Sequence, residues 1–314
     1  MSMVNKLLLL HQKLYTLHWY LSLNKKHLFF RTMMRVFHTA LLPFVVFAIK
    51  HKHKVTAPLN GSENPQIVVS LTTFPKRISN LWIVIESLFN QTIKPNLIVV
   101  NLTKEEFPNG EDDLPESLLY YKKLGLKIEF RDLNLRPHLK YYYTLQEYSN
   151  CDVITVDDDL IYYPDSIENL YKIKENNPGT IVSNNIRHIA KGVEGYKPYK
   201  NWDYAKNDIT DNSKEYLALG YSGVLYPQGL VDIHSQMFDA QKIKDLCLGA
   251  DDLWLHAHEV IQGLKISSGK FRIPAVEIPG SQIISLKSSN CDNSRNDILW
   301  QNLVKHYNID QLCI

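Results

Sequence analysis

The chain has 314 residues, of which 45% are hydrophobic and 22% are charged, and its formal net charge is +2. This composition supplies enough apolar side chains for a substantial core and excludes a disordered protein. The length is compatible with one large α/β domain or with two smaller domains.

The charge is distributed unevenly along the chain. Residues 1–54 contain nine Lys and Arg, no Asp or Glu, and six of the 12 histidines. Residues 55–314 therefore contain 26 of the 35 basic residues and all 33 acidic residues, which gives this part of the chain a formal charge of −7. We expect two regions with different surroundings.

The first region, residues 1–54, mixes basic residues with apolar and aromatic runs. Its longest uncharged stretch, residues 36–49, is short for a membrane-spanning helix and contains Pro43. A basic, acid-free segment of this kind is typical of a peptide that lies on an anionic membrane surface. Its long aliphatic runs favour lipid over nucleic acid as a partner, so no nucleic-acid partner is expected. A helical extension packed on the main domain is the principal alternative, and a signal anchor is a weaker one.

Residues 55–65 are predicted to be a linker because Pro, Gly and Asn are frequent there. Apolar runs and helical patterns then alternate. Strands are predicted at 67–71, 97–102, 127–130 and 152–156, and helices at 81–89, 115–124 and 140–148. This alternation is typical of βαβ units. The predicted fold class is α/β, with a mostly parallel, Rossmann-like sheet flanked by helices and preceded by a helical N-terminal extension.

The cysteines indicate the redox environment. They are Cys151, Cys247, Cys291 and Cys313, and no two of them have C-x-x-C spacing. Neither a structural zinc site nor a disulfide framework is therefore predicted. A reducing compartment is favoured.

Three consecutive aspartates, Asp157, Asp158 and Asp159, follow the fourth predicted strand. Ligands of open α/β sheets bind at the carboxyl ends of the strands. Along an extended chain, Asp157 and Asp159 point to one side and Asp158 to the other, so the outer pair can converge on one cation. Carboxylates suit Mg²⁺ or Mn²⁺, which keep positions open for substrate phosphates. A D-x-D metal site is favoured over a solvated turn or helix cap, because Pro164 provides a better helix start.

A second acidic pair, Asp251 and Asp252, occurs where another helix is predicted to begin. Capping of that helix is one explanation. Next to a metal-bound nucleotide, either carboxylate has the chemistry to take the proton of an incoming hydroxyl. The sequence leaves the choice between them open.

Basic residues follow other predicted strands. Lys76 and Arg77 come after the first strand, and Arg136 and Lys140 come after the third. Each of them alone is explained as a surface charge. Together they form a candidate rim of cations that would neutralise a leaving diphosphate.

These motifs, in this order, resemble those of GT-A-fold glycosyltransferases similar to family 2. The resemblance covers roughly residues 66–260. It is carried by Val-Val-Ser-Leu-Thr-Thr-Phe at 68–74, Ser-Leu-Phe-Asn-Gln-Thr-Ile-Lys-Pro at 87–95, Val-Asp-Asp-Asp at 156–159 and Ala-Asp-Asp at 250–252. The last motif departs from the Glu-Asp that is more frequent in the family.

The resemblance implies a hexosyltransferase-type enzyme that moves a sugar from a nucleotide sugar to a glycan or glycolipid acceptor by an inverting displacement. It implies Mn²⁺ or Mg²⁺ as the cofactor, with Asp157 and Asp159 as metal ligands. The implied base is Asp252 or Asp251. The implied donor-binding residues are Thr72, Thr73, Phe74, Arg77, Arg136, Lys140, Asp157 and Asp158.

The resemblance also suggests how the main domain, residues 66–314, is organised. A nucleotide-sugar half is expected over about 66–160 and an acceptor half over about 161–314. Independently of the resemblance, residues 187–213 are predicted to be a long loop because they show little periodicity, and long loops in compact domains are often substrate loops. Together with residues 1–54, the resemblance predicts a peripheral protein on the cytoplasmic face of a membrane. Its expected pathway is the biosynthesis of a cell-surface polysaccharide such as lipopolysaccharide or capsule.

Two other classes of protein share parts of this pattern. A nucleotidyltransferase acting on a sugar phosphate would have the same sheet and metal carboxylates, but it normally has a glycine-rich basic loop after the first strand. Residues 72–77 contain no glycine. A non-catalytic membrane-associated binding protein with the same fold is the other alternative, and the presence of Asp159 and Asp252 argues against it.

Overall fold

The computed structural model describes residues 3–23, 28–52, 57–59, 66–193, 195–210, 214–278 and 295–312. Cys291, Cys313 and most of the predicted linker lie outside these ranges. Cys151 and Cys247 are within them, and both are buried free thiols.

The described chain is organised as strands and helices in the following order. The strands are β1 Ile67–Thr72, β2 Leu97–Thr103, β3 Leu126–Arg131, β4 Asp152–Thr155, β5 Leu160–Tyr162, β6 Ile181–Ser183, β7 Ile186–His188, β8 Lys191–Gly192, β9 Gly195–Tyr196, β10 Tyr216–Ala218, β11 Val224–Tyr226, β12 Ile266–Ser268 and β13 Ala275–Glu277. The helices are α1 Met3–Leu23, α2 Leu28–Lys52, α3 Leu81–Phe89, α4 Glu116–Lys122, α5 Leu139–Glu147, α6 Ser166–Asn176, α7 Ala240–Lys242, α8 Asp251–Ile261, α9 Arg295–Tyr307 and α10 Ile309–Leu312.

A seven-stranded sheet forms the centre of the main domain, in the order β12, β6, β11, β4, β1, β2, β3. Six strands run in one direction, and β11 is antiparallel to both of its neighbours. Continuous apolar runs form the inner strands because helices cover both faces of such a sheet. The predicted mostly parallel α/β fold is confirmed.

The register of the sheet places the first and fourth strands level at their carboxyl ends. Ser70 of β1 is paired with Thr155 of β4. The turn that begins at Thr73 and the aspartates that begin at Asp157 therefore leave the sheet at the same edge. The candidate site residues of two distant segments meet there.

A buried polar network fixes helix α5 against this part of the sheet. The hydroxyls of Ser70 and Thr144 are 2.7 Å apart, and the Asn101 amide donates to both, at 3.2 and 3.1 Å. Buried polar groups that are fully satisfied hold neighbouring elements in one geometry. The network thereby sets the position of Lys140, which is in the first turn of α5.

Two parts of the acceptor half differ from the expected pattern. The candidate loop at 187–213 contains the end of β7 and the small β8–β9 hairpin. The apolar run at 221–227, whose pattern also predicts a strand after Gly220, forms a strand only over β11, because Gly220–Ser222 is a 3-10 turn and Gly223 has φ +83°. That left-handed conformation favours glycine.

Helices α1 and α2 pack against each other as a hairpin, and α1 also packs on the main domain. The His11 Nδ1 is 2.7 Å from the Tyr163 hydroxyl, and the Trp19 ring stacks on Phe271 with centroids 3.6 Å apart. The packed helical extension is thus observed over the described part of residues 1–54. Its contacts join it to the segment that leads into β13.

The second helix of the hairpin is longer than the uncharged stretch suggests. Residues Leu28–Ile49 are long and apolar enough to cross a membrane by length and composition, and the helix continues through Pro43. Several large apolar side chains of the hairpin are exposed: Leu10, Leu17, Leu28, Phe29, Phe30, Val36, Phe37, Phe44 and Phe47. An exposed apolar surface of this extent is typical of a membrane or protein contact.

Candidate active site

The candidate active site is an acidic cluster where the carboxyl ends of β1 and β4 meet the start of α8. Thr73 and Arg77 come from the turn after β1, the three aspartates follow β4, and Asp251 and Asp252 open α8. Lys140 reaches the cluster from α5. Residues from four separated segments therefore share one edge of the sheet.

Asp158 is held by the turn that follows β1. Its Oδ2 accepts a hydrogen bond from the Thr73 hydroxyl at 2.6 Å, and its Oδ1 accepts one from Arg77 Nη1 at 2.5 Å. Burial raises the pKa of Asp158, while Arg77 and Thr73 oppose that rise. Because both oxygens have partners within the protein, Asp158 serves to fix the two turns together.

Asp159 lies beside the same arginine. Its Oδ2 is 3.2 Å from Arg77 Nη2, and burial, followed by the negative charge of Asp157, raises its pKa to about 6. Its backbone oxygen accepts a hydrogen bond from Ile278 N at 2.9 Å, just beyond β13. The negative charge of Asp157 thus acts on Asp159, and the positive charge of Arg77 offsets burial and Asp157 only in part.

The turn at the triplet changes one expectation about side-chain direction. Strand β4 ends at Thr155, and Asp158 and Asp159 lie in a turn. Strict alternation applies only to extended chain, and here one guanidinium contacts both Asp158 and Asp159. The expected opposition of Asp158 to its neighbours is therefore wrong for this pair.

Lys140 connects the two acidic groups of the cluster. Its Nζ donates to Asp157 Oδ1 at 2.7 Å and lies 2.7 Å from Asp251 Oδ2. Burial lowers the pKa of Lys140, but Asp157, Asp251 and Asp252 outweigh it and hold that pKa well above its usual value. For Asp251, burial raises the pKa, but Lys140 and His138 together with local hydrogen bonds outweigh burial, so the pKa is lowered. The lysine side chain is only 5% exposed, so water has little access to this ion pair.

Asp252 faces the turn before β11. Its Oδ1 accepts a hydrogen bond from the Gly220 backbone N–H at 3.0 Å. A Cβ at position 220 would lie 2.6 Å from Lys140 Nζ and 2.7 Å from Asp252 Oδ1, so this approach requires glycine. Burial, and then the charge of Asp251, raises the pKa of Asp252 to about 8. Asp252 is thus the carboxylate of the pair that is oriented by a backbone donor and has the higher proton affinity.

Negative charge is in excess in this cluster. Six carboxylates contact or act electrostatically on one another here, those of Asp157, Asp158, Asp159, Asp251, Asp252 and Glu277, and two cations, Arg77 and Lys140, lie among them. With all carboxylates ionised, this described set has a formal charge of −4. Such a set attracts a cation, and its hard oxygen donors fit Mg²⁺ or Mn²⁺.

The protein supplies an incomplete set of metal ligands. Within the residues that the structure describes, no group of three His, Cys, Asp or Glu side chains is arranged to hold a metal ion. Asp157 and Asp159 are two neighbouring carboxylates, which matches ions that take one or two carboxylates and complete their shell with water and substrate phosphates. The residues present therefore fit a metal that binds together with a diphosphate.

The other residues predicted to bind the nucleotide-sugar donor lie in different surroundings. The Thr72 hydroxyl donates to Asn101 O at 2.7 Å, and the Phe74 ring lies against Arg77, whose guanidinium carbon is 5.4 Å from the ring centroid. Lys76 is exposed. Arg136, with φ 53°, acts electrostatically on Glu106, and no described contact brings it to the aspartates.

Some residues of the site have no signal in the sequence motifs. The Tyr162 hydroxyl accepts a hydrogen bond from Asp157 N at 2.9 Å and donates to Tyr221 O at 3.2 Å. It joins the metal-binding candidate to the turn that also holds Asp252. The only sequence signal for this turn is the pair of glycines, Gly220 and Gly223, around an apolar strand.

The chain is similar to known proteins in structure, at low sequence identity. No family model and no curated protein matches the chain. Among solved structures, the fold is similar to that of the mannosyltransferase PcManGT from Pyrobaculum calidifontis in complex with GDP-Man and Mn²⁺, with a TM-score of 0.42 and 12% identity over 99% of this chain and 84% of that chain. This similarity is one of fold only.

Proposed function

We propose that the protein is a metal-dependent glycosyltransferase that moves a sugar from a nucleotide-sugar donor to a glycan or glycolipid acceptor. The observation that carries this proposal is that Lys140 forms ion pairs with both Asp157, a candidate metal ligand, and Asp251 of the Asp251–Asp252 pair. A cation site and a base candidate then lie in one cluster at the ligand-binding edge of the sheet. The order of sequence motifs supports the same activity.

The donor is proposed to bind at the ends of β1 and β4. Asp157 and Asp159 would hold Mn²⁺ or Mg²⁺, which when bound stabilises the negative charge of a leaving diphosphate. Arg77 and Lys140 would add positive charge beside it. The turn from Thr72 to Phe74 is proposed to contact the nucleotide base.

Asp252 is proposed as the base that takes the proton of the acceptor hydroxyl. Asp251 is the weaker candidate because its Oδ2 lies 2.7 Å from Lys140 Nζ, which favours the ionised form and lowers its proton affinity. The Gly220 N–H orients Asp252 without supplying a charge. A base on the face opposite a leaving group corresponds to an inverting single displacement, which we propose for this enzyme.

The proposal is tested by screening a panel of nucleotide sugars for Mn²⁺-dependent hydrolysis and for thermal stabilisation. We expect at least one donor to be hydrolysed and to raise the Tm only when the metal is present. In the Asp159→Ala variant we expect the metal-dependent part of both signals to fall at least tenfold, because one of two carboxylate ligands is lost.

Asp132→Ala is the matched control, because Asp132 is 80% exposed and pairs with Lys104 at the surface. It should behave as the unmodified protein does. Full metal-dependent hydrolysis in Asp159→Ala would refute the assignment of Asp159 as a metal ligand. If no nucleotide sugar of the panel is hydrolysed or raises the Tm, the proposed transferase activity is refuted.

We further propose that the α1–α2 hairpin holds the protein on the cytoplasmic face of a membrane, where a cell-surface polysaccharide such as lipopolysaccharide or capsule is assembled. Its exposed apolar face includes Phe29, Phe37 and Phe44, and the basic residues of the hairpin suit anionic lipid.

The triple variant Phe29→Ser, Phe37→Ser and Phe44→Ser is expected to weaken flotation with anionic vesicles by at least about 100-fold, since each lost aromatic side chain removes about 1.5–3 kcal/mol of apolar transfer free energy. These residues are 53% to 73% exposed, so folding should be preserved. Ile298→Ser on α9, 57% exposed, is the control. Unchanged flotation of the triple variant would contradict a membrane-binding role for this face.

A further inference from the structure

Arg187 lies between two tyrosine rings in the acceptor half. Its guanidinium carbon is 5.0 Å from the centroid of the Tyr199 ring and 4.8 Å from that of Tyr204. Arg187 is on β7, which is paired with β10, and it also forms a bridge with Tyr204. Its side chain is thereby held in one place by aromatic stacking.

The guanidinium has few hydrogen-bonding partners. Its Nε is buried without a hydrogen bond, and Nη2 has a long bond of 3.5 Å to the Tyr204 hydroxyl. Within the described part of the chain, no Asp or Glu forms an ion pair with Arg187, whereas Arg77 and Arg131 each have carboxylate partners. A charged, part-buried guanidinium without a counter-ion is costly, and a bound anion offsets that cost.

The arginine is linked through tyrosines to the turn that holds the proposed base. The Tyr204 and Tyr221 side chains are hydrogen-bonded to each other, and Tyr221 follows Gly220, the residue whose N–H holds Asp252. The Tyr221 backbone oxygen in turn accepts the Tyr162 hydrogen bond. Arg187 is therefore connected to the acidic cluster through Tyr204 and Tyr221.

Tyr199 and Tyr204, which enclose Arg187, are called the tyrosine cage, and Tyr204 is also in contact with a residue that packs on the N-terminal hairpin. Tyr204 packs edge-on against Phe271, with centroids 5.4 Å apart, and Phe271 stacks on Trp19 of α1. The Phe271 backbone N–H donates a hydrogen bond to the Lys206 backbone oxygen at 3.4 Å, and Lys270 precedes Phe271 in the chain. Two exposed lysines therefore lie beside these aromatic residues. Arg187 is thus linked through Tyr221 to the turn that holds the proposed base, and through Phe271 to helix α1 of the hairpin.

We propose that Arg187 is the centre of an anion subsite for a phosphate group on the acceptor, so that the acceptor is a glycan joined to lipid through phosphate. This inference rests on the proposed function. The planar guanidinium fork matches phosphate oxygens, and the neighbouring tyrosine hydroxyls are additional donors. The donor diphosphate has its own proposed cations, Arg77 and Lys140, which contact the aspartates of the acidic cluster.

The test uses the full-length protein and three probes: decyl phosphate below its micellar concentration, decanol, and glucuronate. Binding is followed by calorimetry and by the fluorescence of the tryptophans near the cage. We expect decyl phosphate to bind more tightly than decanol, and Arg187→Gln to weaken decyl phosphate binding by about tenfold to a hundredfold, the loss typical of a charge-assisted hydrogen-bonded pair. Decanol binding should not change.

Arg131→Gln is the matched control, since Arg131 is also stacked on a tyrosine but pairs with Glu147. Arg187→Lys should retain part of the binding, and stabilisation of Arg187→Gln by the nucleotide sugar should match that of the unmodified protein. Equal decyl phosphate binding in Arg187→Gln and the unmodified protein would overturn the subsite. Tighter binding of glucuronate would overturn the phosphate assignment in favour of a sugar carboxylate.

These outcomes are separate from the test of the transferase itself. Arg187-dependent binding of decyl phosphate without any donor hydrolysis would refute the proposed function while retaining an anion site. Donor hydrolysis without Arg187-dependent binding would refute the anion site alone.

Discussion

The substitution Asp252→Asn is expected to lower kcat for sugar transfer by about 10²-fold to 10⁴-fold, the range typical for loss of a general base. Asparagine has the same shape and can still accept the hydrogen bond of the Gly220 N–H, which is 3.0 Å from Asp252 Oδ1. The KM for the donor should change little, because the donor cations Arg77 and Lys140 are retained. Steady-state kinetics with the donor found by the panel gives both constants.

Asp251→Asn is the comparison that separates the two carboxylates. Asp251 pairs with Lys140, so its loss should reduce stability, and it should lower kcat less than the loss of Asp252 does. If Asp252→Asn retains full turnover while Asp251→Asn is inactive, the base is Asp251 and the assignment made here is wrong.

The same Asp252→Asn variant is expected to be more stable than the unmodified protein at pH 8. Burial and Asp251 raise the folded-state pKa of Asp252 to about 8, above its value in the unfolded chain. Between about pH 4 and pH 8 the unfolded chain therefore releases this proton first, so the Asp252 contribution to stability falls as pH rises. Without metal, Tm should rise by about 2–4 °C at pH 8 and by less at pH 5. Equal Tm differences at both pH values would contradict the raised pKa.

The substitution Lys140→Met is expected to lower the free energy of unfolding by about 3–5 kcal/mol, because it removes one partner of a buried ionic network. Lys140 Nζ lies 2.7 Å from Asp157 and 2.7 Å from Asp251, and methionine would leave both carboxylates without that cation. Urea unfolding followed by circular dichroism measures the change. The deficit should be smaller at pH 5, where the uncompensated carboxylates can take up protons.

Lys104→Met provides the matched control for a lysine-to-methionine change. Lys104 and Asp132 form a surface pair whose side chains are 61% and 80% exposed, and such pairs contribute about 0–1 kcal/mol. Adding Asp251→Asn to Lys140→Met should restore part of the lost stability, because it removes a carboxylate that Lys140 neutralised. A Lys140→Met protein as stable as the Lys104→Met control would show that the network is not needed for folding.

The sequence by itself indicated the main elements of the fold. Alternating apolar runs and helical patterns predict β1 to β4 and α3 to α5, because strand and helix periodicities are local properties of the chain. The Asp triplet could be placed at a strand end for the same reason. The excess of basic and apolar residues in 1–54 likewise indicated a separate helical region without any knowledge of tertiary contacts.

The tertiary structure alone decided how these elements form a site. Asp158 and Asp159 share Arg77 because the chain turns after β4, and β11 is antiparallel, which no local pattern specifies. Gly220 holds Asp252 from 32 residues away, and Arg187 is caged by tyrosines from a segment with little periodicity. These contacts depend on burial and on which distant backbones meet, so they cannot be inferred from local periodicity. The sequence determined the chemical groups and the edge of the sheet, and folding determined which cation neutralises which carboxylate.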